Sequence, residues 1–168
     1  MPKIEVFFDH TCPYCYRGLA ELESLLPRFP SAEIVWRPVE AHPKVEEPEH
    51  KPYADLAVRG ALYMREAGKE EEYNRSVFKA YFERRLPPDD VETLAACAAE
   101  CGESAERFAA ALRGGEYESE LQEANDYAYG PMKVWAVPAF VCGQKRLDSV
   151  AGIGVTRGQL EAFLRECR

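Results

Sequence analysis

The sequence predicts an α/β fold with a long helical segment set between its strands, and three observations lead there. Lys3 to Phe8 (KIEVFF) is β-branched and aromatic-rich, and a leucine pattern of helical spacing then leads to a second strand-like run, Glu33 to Val39 (EIVWRPV). From about Tyr53 to Tyr129 the apolar residues recur with helical period throughout. Beyond them, Val137 to Cys142 (VPAFVC) and Arg146 to Val150 return to strand character.

Taken in order, the first run reads as a short buried strand that ends at the turn-forming Asp9. Leu19, Leu22, Leu25 and Leu26 line one helix face until Pro27 and Pro30 stop the pattern. The second strand completes a β-α-β unit, and Pro38 places its end near a sheet edge, because proline cannot donate to a ladder. A loop rich in proline and acid, AHPKVEEPEHKP, marks a change of composition and a module boundary. Residues 1–50 and 130–168 are thereby expected to form one domain, with 51–129 as a helical insertion of four or five helices.

Within the insertion, helix starts are expected at Asp89, with Glu92 three residues on, and at Ser104. Gly68, Gly102 and Gly114-Gly115 stand where helices end. Gly143-Gln144 turns the last two strands, and Thr156 with Gln159 forms a capping box for a final helix carrying Leu160, Phe163 and Leu164 inward. Strand, helix, strand, helical insert, strand, strand, helix is the element order of a thioredoxin fold carrying a helical insertion domain.

The 168 residues suffice for one ordinary core, and 46% hydrophobic with 30% charged residues is the composition of a globular chain. A net charge of −8, with no basic patch larger than pairs such as Arg84-Arg85, argues against nucleic acid as a partner. No apolar run approaches the roughly 20 residues of a membrane span, so no membrane partner is expected. The N-terminus enters a strand without the regions of a signal peptide, which places the expected location in the cytoplasm. There the six cysteines, at 12, 15, 97, 101, 142 and 167, are expected mostly as thiols. P-loop, GxSxG and HExxH patterns are absent, and Gly152-Ile153-Gly154 is too short for a dinucleotide fingerprint, so no cofactor and no metal are expected.

The chemistry concentrates in FFDHTCPYCYRG. Cys12 falls at the N-cap of the first helix and Pro13 at its first position, where a missing N–H is harmless. The thiol then faces unpaired backbone N–H groups and the positive end of the helix dipole, which in C-x-x-C motifs bring a cysteine pKa from about 8.5 to roughly 3.5–7.5. Cys15, one turn deeper, is expected buried and within reach of the first sulfur, suited to resolve a mixed disulfide. Far along the chain, Val137-Pro138 opens an apolar strand, a position where proline often takes a cis bond in a tight turn.

Together FDHTCPYCYRG, IVWRPVEAHP, VFKAYFERRL and VPAFVCGQKRL resemble the DsbA-type thioredoxin-fold oxidoreductases. The likeness is greatest to the branch that includes the FrnE proteins and is related to 2-hydroxychromene-2-carboxylate isomerases. It runs over essentially the whole chain. The resemblance implies that Cys12 attacks and Cys15 resolves. It also implies a cis Val137-Pro138 bond packed against the sulfurs, with Tyr14, Pro13 and the Val137 backbone meeting an extended peptide substrate. The acid that such proteins often bury behind the cysteines aligns at Val6, which cannot transfer a proton, and Tyr14 replaces the histidine of DsbA itself. The isomerase relatives usually carry serine at position 12 and use glutathione, so two cysteines here favour disulfide exchange with protein or peptide thiols, glutathione being a further partner of the same chemistry.

Two other readings stay open at this point: a glutathione-linked isomerase or transferase, and a non-catalytic redox-sensing module that binds peptides in the same groove. His10 either assists the Cys12 thiolate or faces solvent in the turn. Cys97 and Cys101, four apart on one helical face, read as small core residues ahead of a second redox pair or zinc ligands. Cys142 and Cys167 read as structural. Tyr127, Tyr129 and Trp135 read as packing first and groove lining second.

Overall fold

The computed structural model describes residues 1–167; Arg168, the last residue of the expected 130–168 span, lies outside the described residues. Its strands are β1 (Lys3–Phe8), β2 (Glu33–Pro38), β3 (Ala139–Cys142) and β4 (Lys145–Asp148). They form one sheet in the order β2-β1-β3-β4. β1 and β2 are parallel, whereas β3 is antiparallel to both β1 and β4. Between β1 and β2 runs α1 (Pro13–Leu25), and α7 (Arg157–Glu166) follows β4. α2 (Asp55–Glu66), α3 (Glu70–Phe78), α4 (Val91–Glu100), α5 (Ala105–Arg113) and α6 (Glu118–Tyr129) stand between β2 and β3.

Alternation along β1 separates two buried faces. Ile4, Val6 and Phe8 are buried with the α1 residues Leu19, Leu22 and Leu25, and Phe140, the register partner of Val6, meets Phe163 of α7. On the opposite face Phe7 meets Tyr127 of α6. Tyr127 donates to Glu5 at 2.7 Å, and Arg37 pairs with the same carboxylate at 2.8 Å while lying over the Tyr127 ring. The sheet is thus covered on both faces, which leaves the C-terminal ends of β1 and β2 as the open rim where α1 begins.

A second apolar cluster fills the helical segment, with Ala57, Ala61, Met64, Tyr73, Val77, Leu94 and Phe108 buried among α2–α5. Gly60 lets these helices close, since a Cβ there would fall 2.2 Å from the Tyr73 hydroxyl and 2.6 Å from Phe108. Cys97 and Cys101 are buried in this cluster, as their small size and spacing predict.

Several local expectations shift. The N-cap of α4 is Asp90, which accepts from the Thr93 N–H at 3.0 Å. Asp89 instead accepts from the Tyr53 N–H at 3.3 Å, holding the entry to α2. The 77–82 pattern is not one α-helix: Lys79–Glu83 winds as a π turn, with the Arg84 N–H reaching the Lys79 carbonyl at 3.0 Å. Val137 and Pro138 precede β3 rather than joining it. Ser104 and Thr156 cap α5 and α7 as expected, and Gly68, Gly102 and Gly115 take positive φ just beyond helix ends.

Candidate active site

β1 delivers the chain to the rim at Asp9, and a tight turn follows in which the Cys12 N–H donates to the Asp9 carbonyl at 3.2 Å. Cys12 has extended backbone (φ −89°, ψ 121°) at the N-cap of α1, Pro13 is the first helical residue, and the Cys15 and Tyr16 N–H groups both reach the Cys12 carbonyl at 3.1 Å. This is the local structure that C-P-x-C dictates at a helix start. Cys12 is part-exposed and Cys15 is fully buried.

The two sulfurs have opposite electrostatics. The Cys15 thiol, then the backbone N–H groups of Cys15 and Tyr14, hold the Cys12 pKa below the ordinary thiol value despite partial burial and the Asp9 charge. Burial foremost, and then Cys12 itself, push Cys15 well up, against one favourable contact from the Asp9 N–H at 3.5 Å. The two thiols are thereby unequal: Cys12 is the readier to ionise and Cys15 the one that holds its proton.

Across the cleft, the Val137–Pro138 peptide is cis, and the Cys12 Sγ lies 3.9 Å from the Val137 carbonyl. Ser149 donates to the Pro138 carbonyl at 2.5 Å and fixes that loop to the residue after β4. Gly18 of α1 admits the proline: a Cβ there would lie 3.0 Å from Pro138 Cγ. Cys12, Pro13, Tyr14 and Val137 line one cleft together with Trp135 and Val150, and residues of the proline-rich loop, Ala41, His42 and His50, form its other wall.

His10 takes neither of the positions expected of it. It is fully buried, its Nε2 is 2.7 Å from Asn74 Oδ1 of α3, and its ring packs among Phe8, Tyr73 and Phe78, so it neither faces solvent nor lines the cleft beside Cys12. Burial lowers its pKa, while Asn74 and Asp9 act the other way.

Asp9 is the residue that sequence reasoning left as a mere turn. It is 2% exposed, accepts from the Thr11 N–H and hydroxyl, both at 2.7 Å, and from the Ala41 N–H at 2.8 Å, so one carboxylate ties the cysteine turn to the loop after β2. Its place three residues before Cys12 was the available clue. Glu40, also buried, accepts from Asn125 at 3.1 Å and from the Lys44 N–H at 3.0 Å, and burial raises its pKa. Asp9 thus stands beside the cysteine turn and Glu40 in the loop after β2, whereas Val6 is core. Of the three aromatics weighed as groove lining, Trp135 reaches the cleft. Tyr127 packs on the far sheet face, and Tyr129 donates to the Glu40 carbonyl. Among the described residues, no group of three or more His, Cys, Asp or Glu is placed to hold a metal.

Comparison with known proteins agrees with this architecture. The Bacillus subtilis protein YwbO is 28% identical over 182 residues, covering 89% of this chain and 90% of its own. In fold, the chain matches the probable DsbA oxidoreductase of Streptomyces coelicolor (TM-score 0.83, 19% identity, 99% of this chain and 90% of that one). It also matches the oxidoreductase DsbA of Xylella fastidiosa (TM-score 0.69, 22% identity, 98% and 81%). Residues 3–161 match the model of the DsbA-like thioredoxin domain, and with a C-x-x-C pair at the head of α1 and sheet order β2-β1-β3-β4, the chain belongs to the DsbA-like thioredoxin-fold oxidoreductase family.

Proposed function

We propose that the chain exchanges disulfides with protein or peptide thiols through Cys12 and Cys15. The Cys12 thiolate attacks a substrate disulfide to form a mixed disulfide and release one substrate thiol, and Cys15 then attacks Cys12 to release the other, leaving a Cys12–Cys15 bond; oxidation of a dithiol substrate runs the same steps backwards. The observation that carries this reading is the asymmetry of the pair: an accessible sulfur with a lowered pKa at a helix N-terminus, and a fully buried sulfur with a raised one behind it.

Extended peptides suit the cleft better than small thiols alone. Trp135 and Val150, 63% and 50% exposed, add apolar surface to the same cleft, which an extended peptide can cover. The test is trapping. The Cys15→Ser chain, mixed with a peptide disulfide, should accumulate a mixed disulfide at Cys12 that mass spectrometry locates, while Cys12→Ser should form none and lose exchange altogether. Exchange that persists in Cys12→Ser would sink the proposal.

A further inference from the structure

Cys142 and Cys167 meet at the end of the sheet remote from Cys12. Cys142 closes β3 and pairs across the hairpin with Lys145. The Lys145 ammonium donates to the Glu166 carbonyl at 2.8 Å, which holds the C-terminal end of α7, and Cys167 with it, against that hairpin. Cys142 packs on the same apolar cluster to which Cys167 belongs, and the two free thiols are close enough to interact directly. Cys142 is part-exposed, whereas Cys167 is 7% exposed.

We propose that Cys142 and Cys167 are a second dithiol site, which closes to a structural disulfide on exposure to a low-molecular-weight disulfide and fastens α7 to the β3–β4 hairpin. The accessible Cys142 thiolate attacks the small disulfide; a Cys142–sulfur bond forms, the small S–S bond breaks, and one small thiolate leaves and takes up a proton. Cys167, having given up its proton, attacks the Cys142 sulfur and expels the second small thiol. The two cysteines together lose two protons and two electrons, and the small disulfide is reduced to two thiols.

The environment makes this bond unlike the one at the active site. Burial, and then the neighbouring thiol, push Cys167 up to about 12. A thiolate so basic is a poor leaving group, so the bond resists reduction once formed, whereas the stabilised Cys12 thiolate leaves readily. The Cys142–Cys167 bond closes about 25 residues, a loop long enough for the cross-link to restrict the unfolded chain. About 10 Å of strand, the length of β3, stands between Cys142 and the proline loop beside Cys12.

The decisive experiment uses the chain carrying Cys12→Ser and Cys15→Ser, alongside the parent, each incubated with oxidised glutathione, alkylated and mapped by mass spectrometry. The expected result in both is an intramolecular Cys142–Cys167 cross-link, with Tm raised by roughly 5–10 °C over the reduced protein and both effects absent in Cys142→Ser. Both thiols remaining free to alkylate, a persistent glutathione adduct on Cys142, or a bond between two chains would each overturn the proposal. Because the cross-link forms without Cys12 or Cys15, the result stands or falls independently of active-site exchange.

Discussion

At the scale of single residues, the lowered pKa of Cys12 comes from a few atoms. The largest influence lowering its pKa is the Cys15 thiol, ahead of the helix N–H groups. Cys15→Ala should therefore move the midpoint of Cys12 alkylation rate against pH upward, and Cys15→Ser, whose hydroxyl still donates, should move it less. A midpoint unchanged in both would show that the helix terminus alone sets the pKa. The sign for stability follows. Because the folded pKa lies below the unfolded one, the contribution of this thiolate to the reduced chain is fully present above the unfolded thiol value and fades as pH falls through the folded value. Most of this was legible in C-P-Y-C. The part of Asp9 was not, because its three accepted hydrogen bonds include one from Ala41, a residue 32 positions away.

At the scale of elements, α1 and the proline loop meet through the absence of a side chain. Gly18 is buried mid-helix, where alanine would normally be favoured by about 1 kcal/mol. Its place is explained by Pro138 Cγ, 3.0 Å from where a Cβ would stand, with Val155 at 3.6 Å. Gly18→Ala should leave Tm within a few degrees, since crowding of about 1–3 kcal/mol offsets the helical gain. It should slow Cys12 exchange several-fold by displacing the proline from the sulfur; a rise in Tm with unchanged exchange would refute the close approach. The capping signals at Ser104 and Thr156 were readable because a cap involves only residues three apart. Between Asp89 and Asp90 the local rule does not choose. The distant Tyr53 N–H takes Asp89 and leaves Asp90 to the helix.

At the scale of the whole molecule, the sheet cluster and the helical cluster are joined at Phe78, which packs with Phe8 and Tyr16, and at the His10–Asn74 bond. Asn74→Ala would leave the buried His10 Nε2 without its partner, a loss of about 1–3 kcal/mol. In a chain of this size that lowers Tm by roughly 3–10 °C. The paired change His10→Phe with Asn74→Leu should recover much of the loss, because apolar groups leave nothing unsatisfied. A paired variant no more stable than Asn74→Ala would show that the bond is not what the junction relies on.

The order of strands and helices, the caps at Ser104 and Thr156, and the place of Cys12 at the head of α1 were settled by the sequence itself, since each depends on periodicity or on residues within one helical turn. Tertiary structure alone decided that His10 turns inward to Asn74, that Asp9 binds the loop after β2, and that Cys142 meets Cys167. Each of these joins residues between 25 and 64 positions apart. Such pairings are selected by the packing of whole elements, which no short-range pattern encodes.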